Sequence, residues 1–446
     1  MTLKFGTDGV RGEANTELTP EFALALGRAA ARVLGHQRWF IGRDTRRSGP
    51  FLAAALAAGL ASEGAAVCDL GVLPTPGLAH ASAAGDSPAA MISASHNGFA
   101  DNGIKLFASG GRKLRDDVEE ALEDELAVLQ AHGGRLERPA GAAVGTVTAD
   151  PGAAAAYGDH LVASALGDRR LDGLRAVVDC ANGAASAIAP VVLRDLGVEV
   201  EVIHASPDGV NINEGCGSTY PQDLQAAVVA RGADVGLAFD GDADRVLAVD
   251  AAGQLVDGDH LIAMCAIDLH ERGALAHDTV VVTVMSNLGF RQAMARRGIE
   301  VVVTAVGDRY VLEALDEGGF VLGGEQSGHV IFRDRASTGD GILTGLCLLD
   351  LLARSGRPLG DLAAEAMTRL PQVLVNVRVA RRDAHLLDAL AGDIAAAEAV
   401  LGPRGRALVR PSGTEPLVRV MVEAPTAAEA DDVAARLVAA VERASA

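Results

Sequence analysis

Asp240, Asp242 and Asp244 stand at alternate positions in FDGDADR, directly after an apolar run. Alternate residues of an extended segment face one way. At a separation of about 4 Å and an effective dielectric near 20, each ionised pair repels by roughly 4 kcal/mol, so three carboxylates converge only around a compensating cation. A calcium loop of the EF-hand type is the obvious competitor, but Arg245 occupies its glycine position and Ala251 its terminal glutamate position. Three oxygen ligands on a short loop leave places for water or a phosphate oxygen, which is how magnesium is usually held. A solvated acidic turn is the plainer alternative.

MISASHNG places Ser93, Ser95, His96 and Asn97 after another apolar run, where an exposed hydroxyl can act as a nucleophile. No GxSxG surrounds Ser95, so the nucleophile elbow of a Ser-His-Asp hydrolase is missing. In RPSGTEPLVR, Arg410 and Arg419 bracket Ser412, Gly413 and Thr414. Turn N–H groups, hydroxyls and guanidinium forks together suit a phosphate, against the alternative of a basic turn with surface ion pairs. GGEQSGH sets Glu325 and Ser327 in a glycine-flanked loop suited to hydrogen bonds with sugar hydroxyls. His329 beside it is either a proton carrier or a structural histidine.

These loops need a scaffold, and 446 residues suffice for several cores. Hydrophobic residues make up 49% and charged residues 22%, a globular composition without a long polar tract. The net charge of −20 opposes generic attraction to nucleic acid or anionic membranes, so an anionic substrate requires a local basic pocket. Five cysteines, widely spaced and without CxxC pairs, indicate neither a disulfide framework nor a zinc site. The segment MTLKFGTDGVRG lacks an apolar signal core, and no run approaches the 18 apolar residues of a membrane span. The expectation is a cytoplasmic protein with reduced thiols.

Thr19, Pro20 and Glu21 read as the start of a helix that Gly35 stops. Trp39 to Ile41 reads as a strand, 51–63 as a helix and AAVCDLGV as a strand, the alternation of a mostly parallel sheet covered by helices. Val118, Leu122, Leu126 and Leu129 share one helical face, with Gly133-Gly134 as its stop. A Gly/Pro/Ala stretch near 139–152 reads as a boundary. The α/β pattern then restarts through AVVDCANGA, VEVEVI and DVGLAF, and again through TVVVTV, IEVVVTAV, FVLGG and a helix near 340–354. VLVNVRV, RALVR, LVRVMVE and a last helix from 426 form a small α+β module. The expected fold is three successive α/β domains with mixed, mostly parallel sheets (1–150, 151–252, 253–368) plus a smaller C-terminal α+β domain (369–446) around a central cleft.

Taken in order, FGTDGVRG, ISASHN, DNGIK, FDGDADR, VGDRYV, GGEQSGH and RPSGTEPLVRVMVE resemble the α-D-phosphohexomutase superfamily along essentially the whole chain, and within it the mutases of bacterial glucosamine phosphates. The resemblance implies one loop per domain facing a sugar phosphate. It makes Ser95 the phosphoserine donor and a metal ligand, Asp240, Asp242 and Asp244 the magnesium ligands, and Glu325 and Ser327 the sugar readers. It makes Arg410, Ser412, Gly413, Thr414 and Arg419 the clamp for the phosphate that is not transferring. Arg11, His96, Lys105, Arg245 and His329 fall in motifs near the reacting groups. Glucosamine 6-phosphate and glucosamine 1-phosphate would then interconvert through an enzyme-bound 1,6-bisphosphate, which would also prime Ser95, and the product would feed UDP-N-acetylglucosamine and cell-wall synthesis.

Other readings stay open on sequence alone: a glucose or mannose phosphate mutase, a magnesium-dependent sugar phosphatase, or a sugar-phosphate-binding regulator without catalysis. A homodimer is also left open. Gly98 departs from the pattern, which usually has proline after Ser-His-Asn, and glycine without a fixed φ is expected to loosen that loop.

Overall fold

The computed structural model describes residues 4–6, 9–35, 37–133, 136–379, 386–411 and 417–445. The chain divides into two compact units, Met1–Val284 with Ile299–Ala363, and Met285–Gly298 with Ala364–Ala446.

The first unit carries three sheets. In the seven-stranded sheet the parallel strands Ala89–Ile92, Arg38–Arg43, Ala66–Val72 and Val147–Ala149 lie side by side. Asp101–Ala108 and Val10–Glu13 extend it antiparallel beyond Ala89–Ile92. The five-stranded sheet has Val235–Phe239 beside Arg175–Asp179 in parallel, with Val246–Asp250 added antiparallel. In the four-stranded sheet Thr279–Thr283 lies parallel to both Glu300–Thr304 and Leu322–Gly324, and Val330–Phe332 closes the edge antiparallel.

Local chemistry explains several boundaries. The helix Pro20–Leu34 starts where Thr19 Oγ1 accepts the Phe22 N–H at 3.2 Å and ends at Gly35, whose φ of 64° lets its N–H close on Ala31 O. In Asp116–Ala131 the expected face turns inward, with Leu122, Leu126 and Leu129 buried and Val118 packed against the same core. That helix is capped at His132, and Gly134 lies outside the described residues. The helix expected at 51–63 runs Gly49–Ser62, its proline seated in the first turn. Trp39 is completely buried in the first core.

The stretch near 139–152 contributes the short exposed strand Val147–Ala149 to the sheet edge. The helices Thr75–Ala84 and Gly258–Glu271 carry no amphipathic signature strong enough to read: each is buried along much of its length, so apolar and small residues surround the axis.

The second unit is a three-stranded antiparallel sheet, Gln372–Arg378, Leu417–Glu423 and Arg406–Pro411, with Leu417–Glu423 central. Leu386–Leu401 and Ala427–Ser445 cover it through a core that includes Leu390, Val420, Val433 and Leu437. Glu423 is fully buried there and receives Arg406 Nε at 2.7 Å, Asn287 Nδ2 at 3.2 Å and the Leu288 N–H at 2.8 Å, which satisfy its carboxylate.

Candidate active site

Three motifs of the first unit emerge from the C-terminal ends of strands within parallel sheet regions, the usual place for ligand sites in α/β sheets. Ser95 follows Ala89–Ile92, Asp240 follows Val235–Phe239, and Glu325 follows Leu322–Gly324. Ser95 is 1% exposed and holds a φ of 50°, in the left-handed region that non-glycine residues seldom occupy. Its hydroxyl donates to Asp240 Oδ2 at 2.6 Å and lies 3.4 Å from His96 Nδ1. Ser93 is the neighbouring hydroxyl, but its Oγ donates to Asp44 Oδ2 at 2.7 Å and accepts the Ser95 N–H at 2.9 Å. Ser93 is therefore a brace and Ser95 is the hydroxyl at the acidic cluster.

Asp240, Asp242 and Asp244 are all buried, and one carboxylate oxygen from each falls within 4.8 Å of the others. Burial first, then Asp244 and Asp242, pushes the Asp240 carboxyl well above the usual carboxylate range. Thr75 Oγ1 donates to Asp242 Oδ2 at 2.7 Å, and Lys105 Nζ approaches the same oxygen at 3.1 Å. Asp244 Oδ1 is buried and accepts no hydrogen bond among the described residues, with Arg245 Nε 3.8 Å away. A cluster of hard oxygen donors with a buried carboxylate oxygen that no hydrogen bond satisfies fits a divalent cation.

The cationic side of the site forms around His96. Arg245 Nη1 lies 3.3 Å from His96 Nδ1, and the Arg245 N–H donates to Asp240 Oδ1 at 3.2 Å. Burial, then Arg245 and Arg11, lowers the His96 imidazole to about 4, so the ring is neutral at neutral pH. Arg11 sits on the strand Val10–Glu13, opposite Gly103.

The Glu325 loop is held by its own backbone: the Glu325 N–H donates to His329 O at 2.9 Å and the Gly328 N–H returns to Glu325 O at 3.0 Å. Glu325 Oε1 accepts the Gly307 N–H at 3.2 Å, and Ser327 Oγ is buried without a hydrogen-bond partner among the described residues. His329 is 2% exposed, with Nε2 3.4 Å from Asp308 Oδ2, while Lys113 Nζ lies 2.5 Å from that same oxygen. Asp308 and Lys113 were not singled out by sequence, although Asp308 lies inside VGDRYV.

In the second unit, Arg410 and Arg419 face each other directly across neighbouring antiparallel strands. Burial and then Arg419 lower the Arg410 pKa, and Arg419 Nε is buried without a hydrogen-bond partner among the described residues. Like charges in cross-strand register destabilise a sheet unless an anion joins them. Ser412, Gly413 and Thr414 lie outside the described residues.

Comparison with known proteins gives the family. Residues 2–132, 155–253, 257–370 and 374–440 match in turn the phosphoglucomutase/phosphomannomutase alpha/beta/alpha domains I, II and III and the C-terminal domain. The fold is thus four successive α/β domains with mixed sheets, and the chain is an isomerase of the phosphohexomutase superfamily. The chain is 58% identical over 458 residues to the phosphoglucosamine mutase of Frankia alni, covering 100% of this chain and 99% of that one. It is 56% identical over 445 residues to the phosphoglucosamine mutase of Saccharopolyspora erythraea, covering 98% of each. A crystal structure of a phosphoglucomutase/phosphomannomutase family protein from Burkholderia thailandensis superposes with a TM-score of 0.80 at 26% identity, over 98% of this chain and 97% of that one. The chain belongs to the phosphoglucosamine mutase family of the α-D-phosphohexomutase superfamily. Among the described residues no helix is long and apolar enough to cross a membrane.

Proposed function

We propose that the chain interconverts glucosamine 6-phosphate and glucosamine 1-phosphate through phosphorylated Ser95. The observation that carries this reading is the 2.6 Å contact between Ser95 Oγ and Asp240 Oδ2, which sets the Ser95 hydroxyl against a buried carboxylate cluster. A sugar hydroxyl oxygen attacks the phosphorus on Ser95, the P–Oγ bond breaks, the hydroxyl proton passes to a base and Ser95 Oγ regains a proton. The resulting 1,6-bisphosphate turns around and returns its other phosphate to Ser95 by the reverse step. A bisphosphate of this kind also supplies the first phosphate.

Asp240, Asp242 and Asp244, with a phosphate oxygen on Ser95, would hold Mg2+, which supplies charge neutralisation for phosphoryl transfer. Arg11, Arg245 and Lys105 bring fixed positive charge to the transferring group, and neutral His96 offers a ring nitrogen beside Ser95 Oγ. Glu325 and Ser327 bind sugar hydroxyls, with His329 behind them. Arg410, Ser412, Gly413, Thr414 and Arg419 clamp the second phosphate. Each of the four segments 1–150, 151–252, 253–368 and 369–446 thus contributes one loop. The names of the relatives favour the amino sugar. The reading makes the reaction an early step toward UDP-N-acetylglucosamine in the cytoplasm, and a homodimer is compatible with it.

The test is a panel of glucosamine, glucose and mannose phosphates with the phosphorylated protein, together with mapping of the phosphate. The expected result is phosphate on Ser95, the highest kcat/KM for glucosamine phosphates, and loss of turnover in chelator that magnesium restores. A preference for glucose or mannose phosphates reassigns the substrate. Net release of inorganic phosphate makes the protein a phosphatase, and phosphate on Ser93 refutes the nucleophile.

A further inference from the structure

The backbone of Ser95 is gripped on both sides. Its N–H is tied to Ser93 Oγ at 2.9 Å, and Ser93 is tied in turn to Asp44. Its carbonyl accepts Arg46 Nη2 at 3.1 Å and Asn213 Nδ2 at 2.8 Å. The same two side chains take the Asn97 carbonyl, Arg46 at 2.8 Å and Asn213 at 2.9 Å.

Arg46 spends both terminal nitrogens of its guanidinium on this loop. Nη1 donates to the carbonyls of Gly98 and, at 3.0 Å, Asp101, while Nε donates to Asp44 Oδ2 at 2.9 Å. Its side chain and that of Asp44 are both 0% exposed, so this is a buried ion pair whose cation faces four carbonyl oxygens. A planar fork with five fixed donors does this; an ammonium does not.

Asn213 comes from the neighbouring sheet's domain and itself holds a φ of 58°, a conformation that asparagine tolerates better than most residues. Gly241 of the aspartate loop packs onto the same point: a Cβ there would lie 2.6 Å from Ser95 O and 2.8 Å from Asn213 Nδ2. The glycine between Asp240 and Asp242 is thus required for space.

From these contacts we infer that Arg46 and Asn213 are positioning residues that fix the Ser95 peptide in its left-handed conformation and so aim Oγ at Asp240. Neither side chain is placed to touch the sugar. They act through two shared carbonyls, those of Ser95 and Asn97, and because Asn213 and Asp240 share a domain, Asn213 sets the register between the nucleophile and the acidic loop. Phosphoryl transfer depends on in-line placement, and an error of about 1 Å can cost on the order of 10²-fold in rate.

This inference rests on Ser95 being the phosphorylated residue, so the experiment first measures phosphate on Ser95 in each protein and then follows its transfer to glucosamine 6-phosphate in a single turnover. Asn213→Asp keeps the shape but turns an oxygen toward both carbonyls. Asn213→Gly keeps the left-handed backbone and deletes the two donors. Both are expected to slow transfer and kcat by about 10- to 100-fold, with KM within about twofold, in protein that remains folded at the assay temperature. Arg46→Lys, which restores charge without the fork, is expected not to preserve wild-type transfer. Wild-type transfer rates in folded Asn213→Asp and Asn213→Gly, or a change confined to KM, would overturn the inference. Absence of phosphate from Ser95 in the wild type would instead remove the reading on which it stands.

Discussion

Lys105 Nζ lies 3.1 Å from Asp242 Oδ2 and 3.5 Å from Asp244 Oδ2, so a strand of the first sheet delivers an ammonium into the carboxylate cluster of the second. Both partners are buried, and removing one member of a buried pair costs about 3 to 5 kcal/mol because the other is left uncompensated. A divalent cation at the three aspartates would recover part of that cost. Lys105→Met is therefore expected to melt well below the wild type in chelator and to gain more from added magnesium than the wild type gains. Thermal melts with and without magnesium check this, and equal magnesium-dependent shifts would contradict it. Turnover should fall in either condition.

Gly98 yields a second prediction. The sequence expectation was a loosened loop, yet the Gly98 carbonyl is held by Arg46, so the constraint comes from a neighbouring side chain. Gly98 is exposed, a Cβ there meets nothing within 4 Å, and its N–H donates to no acceptor among the described residues. Gly98→Pro removes nothing the fold uses and restricts the unfolded chain. It should stabilise the protein by about 0.4 to 1 kcal/mol and leave kcat near wild type, measurable by urea unfolding and steady-state kinetics. A destabilised variant would mean that the loop needs a backbone angle proline cannot adopt.

These two residues also mark what sequence could and could not reveal. Ser95, the aspartates and the Glu325 loop were legible because their chemistry lies in contiguous motifs after apolar strands. Arg46 and Asn213 were not, because their role exists only when three loops from distant sequence positions meet at one carbonyl. Ser93 and Ser95 were also hard to separate by type, and the bond from Ser93 to Asp44 distinguishes them. The helix Thr75–Ala84 went unread although its first residue bonds Asp242: buried along most of its length, it lacks the polar face that makes a helix visible.

Arg419 should show opposite effects on stability and function. It faces Arg410 across the sheet, a like-charge pair that costs stability in the absence of an anion. Arg419→Ala should therefore leave the melting temperature unchanged or slightly raised. Loss of a charge-assisted phosphate contact, about 1.5 to 3 kcal/mol, should lower kcat/KM by about 10- to 100-fold in both reaction directions. Added inorganic phosphate should raise the melting temperature of the wild type more than that of the variant. Unchanged kinetics in both directions would place the phosphate site elsewhere.

The last prediction concerns acid stability. His80 and His160 stack at 4.0 Å between ring centroids, tilted by 20°, beside a cavity of about 510 Å³ that Arg112, Arg333, Arg335, Asp86 and Asp334 also line. Burial, then His160, pushes His80 down to about 4, and burial lowers His160 despite the Arg335 carbonyl. In the unfolded chain both would titrate near 6.5. Between these values the unfolded state binds more protons than the folded one, so stability contributed by the pair is full above about 6.5 and is lost as pH falls toward 4. Asp340, raised to about 6 chiefly by burial, slopes the other way, so the pair must be isolated by comparison with a variant. Urea midpoints measured from pH 7.5 to 4.5 should fall more steeply for the wild type than for His80→Gln, which removes one titrating ring and its repulsion of the other. Both histidines are half-buried, so solvent screening trims the difference without changing its sign. Parallel curves for the two proteins would show that the stack carries no proton linkage.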